Sequence, residues 1–261
     1  MPTSTHDTYE DVADQSPVVT VRRARQRRAA RVTSVTAVVA GVCFGVFCVS
    51  LSVGDFHIPV PDVVATLFGG GDDASQFIIN ELRLPRALTA VLAGAAFGLS
   101  GAIFQTLVRN PLASPDIIGI TQGASAAAVI CILGFGMSGY AVSLGAFGGA
   151  LAAALAIYVL AWRDGVSGYR FVLIGIAVAA MLLSVISYMM TRAEVYDAQQ
   201  ALVWLTGSLN AKTWTTVQIL GWASVVLMPL AMLLGRGLNA LQMGDDAAKS
   251  LGHRVERSRL S

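Results

Sequence analysis

The sequence predicts an all-α, polytopic α-helical membrane protein with six transmembrane helices and both termini in the cytoplasm, and three observations carry that prediction. Of 261 residues, 55% are hydrophobic and only 13% charged, with a mean hydropathy of +0.65. Soluble chains carry about a quarter of their residues as charge, because the surface left outside a core faces water. Most of this surface has to face lipid instead. The second observation is six stretches near the ~20 apolar residues that cross hydrocarbon as a helix, at residues 33–54, 87–108, 117–134, 140–162, 171–190 and 215–235. The third is the alternation of basic residues. With the N-terminus inside, Arg22, Arg23, Arg25, Arg27, Arg28, Arg31, Arg109, Arg163, Arg170, Arg236, Lys249, Arg254, Arg257 and Arg259 fall inside, and only Arg83, Arg86, Arg192 and Lys212 outside. Such a bias holds inner loops in the cytoplasm, and one span more or fewer would scramble it.

Taken in order, residues 1–32 read as a disordered basic cytoplasmic tail: Asp7, Glu10, Asp11 and Asp14 precede the arginine cluster and little apolar periodicity is present. The arginines abut an apolar span and lack interleaved aromatics, so they read as a topology signal. With a net charge of only +2, no nucleic-acid partner is expected. The run from Val32 to Val53 is as long as a full span, longer than a signal-peptide core, and is expected to be retained.

The loop 55–86 holds a short amphipathic helix beginning near Pro61, then the flexible Gly69-Gly-Gly-Asp-Asp73, and is expected to lie along the outer interface. After span 87–108, the prolines of Asn110-Pro-Leu-Ala-Ser-Pro115 stop the helix, and the next span restarts with the glycine-broken stretch Ile117 to Gly123. Non-helical backbone at membrane depth survives only inside protein or beside a watered cavity. A pathway lining and an ordinary tight turn both account for it. Spans 140–162 and 171–190 lead to a second outer loop, 191–214, with a candidate helix from Asp197 to Leu205 and with Trp204 and Trp214 suited to the headgroup layer. Span 215–235 is followed by a cytoplasmic segment, 236–261. There Asp245 and Asp246 suit a helix N-terminus and Gly252 its end, giving either a docking surface or a solvated loop.

Glycines recur at four-residue spacing: Gly41 and Gly45, Gly94 and Gly98, Gly119 and Gly123, Gly145 and Gly149. In lipid, helices associate through close packing, and such pairs let backbones approach. Packing within one chain is the expectation for each.

Enzymatic chemistry finds little support. Gly134-Phe-Gly-Met-Ser-Gly139 matches the dinucleotide fingerprint letter for letter, but it lies in a short turn between spans, without the strand, helix and distant acid that the site needs. A P-loop lysine motif is lacking, so ATP hydrolysis by that route would rest on another chain. His6, His57 and His253 have no nucleophile or ligand spacing nearby, and Cys43, Cys48 and Cys131 sit in apolar runs as small hydrophobes. No catalytic residue, metal or cofactor is expected.

The segments Glu81-Leu-Arg-Leu-Pro-Arg-Ala-Leu88, the run from Leu92 through Asn110-Pro-Leu-Ala-Ser-Pro-Asp-Ile-Ile-Gly119, Leu202-Val-Trp-Leu-Thr-Gly-Ser-Leu-Asn210 and Met243 to Leu260 resemble the permeases of the ferric-siderophore/cobalamin family of ABC importers. The similarity covers nearly all of residues 33–261, with 33–235 as the permease domain, and is greatest to ferric-enterobactin-type permeases. It implies a cell-membrane protein acting as a homo- or heterodimer with a second permease. ATP-binding subunits would drive it from the cytoplasm, and an extracytoplasmic binding protein would deliver a ferric siderophore. Cobalamin or haem import, or a non-transporting scaffold subunit, are the alternatives. By the same resemblance, Arg83 and Arg86 meet the binding protein. Asn110, Pro111, Leu112, Pro115, Gly119 and Gly123 lie along the translocation path and its gate. Gly244, Asp245, Leu251, Gly252, Val255 and Arg259 couple to the ATPase. Family members usually have ten spans, so this chain is expected to be short at its C-terminal end.

Overall fold

A computed structural model describes residues 17–54, 56–108, 114–116, 118–162 and 168–241. The described residues are helical or irregular, and five helices are long and apolar enough to cross a membrane: Val21–Ser52, Asp73–Val108, Tyr140–Ala161, Tyr169–Arg192 and Trp214–Leu233. The chain divides into two compact units, Met1–Ala87 and Leu88–Ser261.

In the first unit, helix α1 runs Pro17–Ser52. It begins well before the expected span at residue 33, so residues 17–32 are helical rather than a disordered tail. The reason lies in composition, because arginine and alanine lose little rotamer freedom in a helix and favour it strongly. Helix α2, Val60–Leu67, has Pro61 in its first turn, as the sequence predicts. It ends at Phe68 in a glycine cap, with Gly70 N–H donating to Ala65 O at 2.8 Å and Gly69 N–H to Thr66 O at 3.1 Å. Gly69 sits at φ 88°, a conformation that other residues resist. Leu51, Ile58, Val63, Ile79 and Ala87 form this unit's core, with Phe47, Ile78 and Leu84 packed against it.

Helix resumes at once as α3, Asp73–Gln76, then a π-helical stretch, Phe77–Arg83, then α4, Leu84–Val108. The second long helix therefore starts earlier than the expected residue 87. Pro85 has no N–H to give the normal ladder, and the wider π turns lie just before it. Outside the membrane span, the Asp72 carboxyl is held below the usual carboxylate range, chiefly by the Ser75 hydroxyl.

The second unit is built around α5, Ile120–Val129, which continues as a π-helical stretch, Ile130–Gly134. Together these make a single helix, Ile120–Gly134, about 22 Å long at 1.5 Å per residue. Hydrocarbon is about 30 Å thick, so the stretch expected at 117–134 is not a sixth long helix. Gly119, at φ 89°, has left the helical region and delays its start. Helices α6, Tyr140–Ala161, and α7, Gly168–Arg192, pack on α5. Helix α8, Val195–Thr206, lies on its far end with Ala201 fully buried. The core is Ala126, Ala128, Val129, Ile132, Val142, Ala146, Ile186 and Ala201. Helix α9, Trp214–Leu241, carries Pro229 inside it and continues beyond residue 235 through Gly235-Arg236-Gly237.

Candidate functional site

Two places gather the residues that the sequence singles out. The first is the end of α1 in the first unit. Helix α1 stops at Ser52 with its last carbonyls lacking intrahelical partners, as every helix end does. Arg83, at the end of the π-helical stretch, supplies them: Nη1 donates to Leu51 O at 2.7 Å and to Ser52 O at 3.0 Å, and Nη2 donates to Phe56 O. A cation at this end also complements the helix dipole. Ser52 closes the turn, its Oγ donating to Ile58 O at 2.7 Å while Ile58 N–H donates back to Ser52 O at 3.1 Å. Gly54 makes room, since a Cβ there would stand 2.7 Å from Arg83 Nη2. Arg86, three residues on, is exposed. The two arginines, equivalent in the sequence, thus occupy different surroundings.

The second place is the bend before α5. Pro115 is half-buried, and Ile118 N–H donates to Pro115 O at 3.3 Å. Thr121 Oγ1 donates to Asp116 Oδ1 at 2.7 Å, tying the bend to the first helical turn. At Gly119 a Cβ would meet Gly175 O at 2.9 Å and Ala179 N at 3.1 Å, and at Gly175 it would meet Ile118 O at 2.7 Å. The main chains of the bend and α7 therefore touch with no side chain between them. One turn on, a Cβ at Gly123 would meet Gly149 O at 2.7 Å and the Ala153 methyl, and one at Gly149 would meet Ala127 Cβ and Gly123 O. Of the four glycine pairs, Gly119 with Gly123 and Gly145 with Gly149 pack within this unit, a Cβ at Gly145 meeting the Cys131 side chain. Gly41, Gly45, Gly94 and Gly98 have nothing within 4 Å of where a Cβ would be.

Sequence reasoning missed Gln122. Its Oε1 is the one buried side-chain oxygen or nitrogen without a hydrogen-bond partner among the described residues. An unmet buried acceptor costs about 1–3 kcal/mol. The signal was present: an amide between Thr121 and Gly123, at the start of an otherwise apolar helix.

Asn110, Pro111 and Leu112 lie outside the described residues, as do Gly244, Asp245, Leu251, Gly252, Val255 and Arg259. The fingerprint-like Gly134 to Gly139 is a helix end. Gly136, at φ 62°, donates its N–H to Ile132 O at 3.1 Å and Met137 donates to Cys131 O at 2.9 Å, a wide glycine cap that follows the π turn. Among the described residues no three His, Cys, Asp or Glu groups could share a metal. An open groove of about 630 Å³ between α4 and α9 is lined by Leu92, Trp222, Val225 and Met228 with little polar surface, so it offers a polar chelate few partners.

Comparison with known proteins gives these places a context. The FecCD transport family matches residues 41–261. The ferric enterobactin transport system permease protein FepG of Escherichia coli (strain K12) is 40% identical over 80% of this chain and 64% of that protein. The achromobactin transport system permease protein CbrC of Dickeya dadantii (strain 3937) is 39% identical over 83% of this chain and 62% of its own length. The chain thus spans a little under two thirds of these relatives. A solved structure described as an inward-facing conformation of a metal-chelate type ABC transporter superposes with a TM-score of 0.70 at 26% identity, covering 84% of this chain and 70% of that one.

Proposed function

This chain belongs to the FecCD transport family, a multi-pass membrane protein on that ground, and from this premise we propose that it is a permease subunit of an ABC importer for ferric siderophores. The observation that carries the reading is the match over residues 41–261, together with the likeness to permeases named for ferric enterobactin and achromobactin. The chain forms part of the translocation path and is not itself the ATPase. ATP-binding subunits, a second permease and an extracytoplasmic binding protein are its partners, and the iron crosses as substrate, wrapped in its chelator.

On this reading the bend before α5, with Pro115 and Gly119, lies along the path. Irregular backbone at membrane depth needs shelter, and the close approach of Gly175 and Ala179 supplies it. Gln122 Oε1 adds an acceptor beside the bend. We further propose that the helix Ile120–Gly134, led by the bend before it, makes a sixth crossing, with both ends of the chain in the cytoplasm. Asn110, Pro111 and Leu112 then stand at the inner gate. Gly244, Asp245, Leu251, Gly252, Val255 and Arg259 rest on the ATP-binding subunits and pass their closure to the helices. Arg86 offers its exposed guanidinium to the binding protein, and Arg83 holds the surface on which Arg86 stands.

The test is ATP-driven uptake of radiolabelled ferric siderophores into proteoliposomes that contain this chain with its motor subunits and second permease, supplied with the binding protein. Uptake that needs this chain supports the proposal. Accumulation of cobalamin or haem but not of any ferric siderophore overturns the substrate, and assembly without any uptake leaves a scaffold.

A further inference from the structure

We propose that helix α2 is a lipid-embedded lip, fixed to the outer end of α1 and dipping its exposed apolar edge into the outer leaflet. The proposal uses the membrane location of the chain and is independent of what is transported.

Helix α2 has three sides. Val63 and Thr66 are buried, at 5% and 1% exposure, against the core of the first unit. Val60, Val64 and Leu67 fall within about 60° of one another at 3.6 residues per turn, and all three are exposed. Phe68 extends this edge at the tip with 89% of its surface free. Asp62, on the side away from the apolar edge, is exposed as well. A helix in water alone would gain nothing from a valine, leucine and phenylalanine edge, whereas a helix at a lipid boundary gains by burying it while the carboxylate stays wet.

What covers the edge follows from its neighbour. On α1, Val42, Val46 and Val49 recur on one face, with Val53 just past the helix end, all exposed, in a helix whose composition suits hydrocarbon. The chain leaves that helix at Ser52 and enters α2 at Val60, turned back by the paired Ser52 and Ile58 hydrogen bonds and by Arg83. The exposed apolar face of α1 and the exposed apolar edge of α2 thus lie at either end of one short hydrogen-bonded turn, and lipid that meets the first is within reach of the second. The clamp makes the lip rigid: Arg83 and the Ser52 turn fix the end of α1, and Val63 is packed with Leu51 and Ile79. Gly69 and Gly71, both at positive φ, then turn the chain away after Phe68.

Site-directed nitroxide labels on the full chain in proteoliposomes test this, after Cys43, Cys48 and Cys131 are replaced by alanine. Labels are placed singly through Asp62→Cys, Val64→Cys and Phe68→Cys, and collision with oxygen is compared with collision with a water-soluble nickel chelate. Oxygen should dominate at 64 and 68 and the nickel chelate at 62, with at least about a threefold difference in their ratio between the two sides. Equal access of the nickel chelate to all three positions overturns the proposal. So does shielding of 64 and 68 from both reagents, which would mean that protein covers the edge.

Discussion

Arg83 and Arg86 carry the same charge three residues apart, and only packing separates their roles. The partners of Arg83 lie 27, 31 and 32 residues upstream, a separation that no local pattern displays. Hydrogen bonds from a charged donor contribute about 1.5–3 kcal/mol each, less when solvent shares the site. Arg83→Ala is therefore expected to cost about 2 kcal/mol, read as a lowered melting temperature in detergent or nanodiscs. Arg83→Lys should fall between, because a lysine restores the charge but not the fork that reaches three carbonyls. Arg86→Glu belongs to a different class of effect. It should leave melting unchanged and weaken association with the binding protein, with the deficit shrinking as salt rises, since exposed charges act through a screened field. A titration of docking affinity at two ionic strengths checks it, and equal affinity of wild type and variant at low salt removes Arg86 from the interface.

At the scale of elements, the glycine pairs show what the sequence could and could not convey. Four-residue spacing is visible in the letters, and it correctly marked Gly119, Gly123, Gly145 and Gly149 as places of close approach. It could not say which pairs have a neighbour, because that depends on how each helix is rotated in the fold. The consequence is a reversal of sign. Gly149→Ala would drive a methyl into Ala127 and Gly123, where backbone cannot yield, and overpacking of this kind costs about 1–3 kcal/mol. Gly94→Ala meets nothing within 4 Å and removes a glycine from a helix interior, so it should raise stability of the isolated chain by up to about 1 kcal/mol. Chemical unfolding of the two variants side by side checks both signs. Helix type and order were likewise legible from apolar runs and prolines. The early start of α1 was not, because arginine reads as polar in a hydropathy window while its backbone preference is helical. The π-helical stretches were hidden too, since their cause is a shift in hydrogen-bond register, not a change in composition. Of the candidate path, the prolines and Gly119 were legible. For Gln122 the amide itself was visible in an apolar stretch, but that its oxygen is orphaned becomes evident only once its surroundings are built.

For the whole molecule, the decisive quantity is the parity of crossings, and the 15-residue helix Ile120–Gly134 sets it. If this helix crosses, Arg163 and Arg170 return to the cytoplasm and the basic residues divide fourteen inside against four outside. If it enters and turns back, every later segment inverts. Arg192 and Lys212 then join the first six arginines and Arg109 inside, while Arg83, Arg86, Arg163, Arg170, Arg236, Lys249, Arg254, Arg257 and Arg259 lie outside, nine against nine. Placing that many cations on the outer side would abolish the bias that orients inner-membrane chains. A helix of about 22 Å can still cross, since the bilayer thins locally around a short span at a modest cost. The exposed turn after Gly134 distinguishes the two cases. Met137→Cys, in a chain whose three cysteines are replaced by alanine, should react with a membrane-impermeant maleimide added to intact cells, or to spheroplasts where an outer membrane is present. Labelling only after permeabilisation would place the turn inside and reduce the crossings to five, and the coupling segment would then lie outside, out of reach of the ATP-binding subunits.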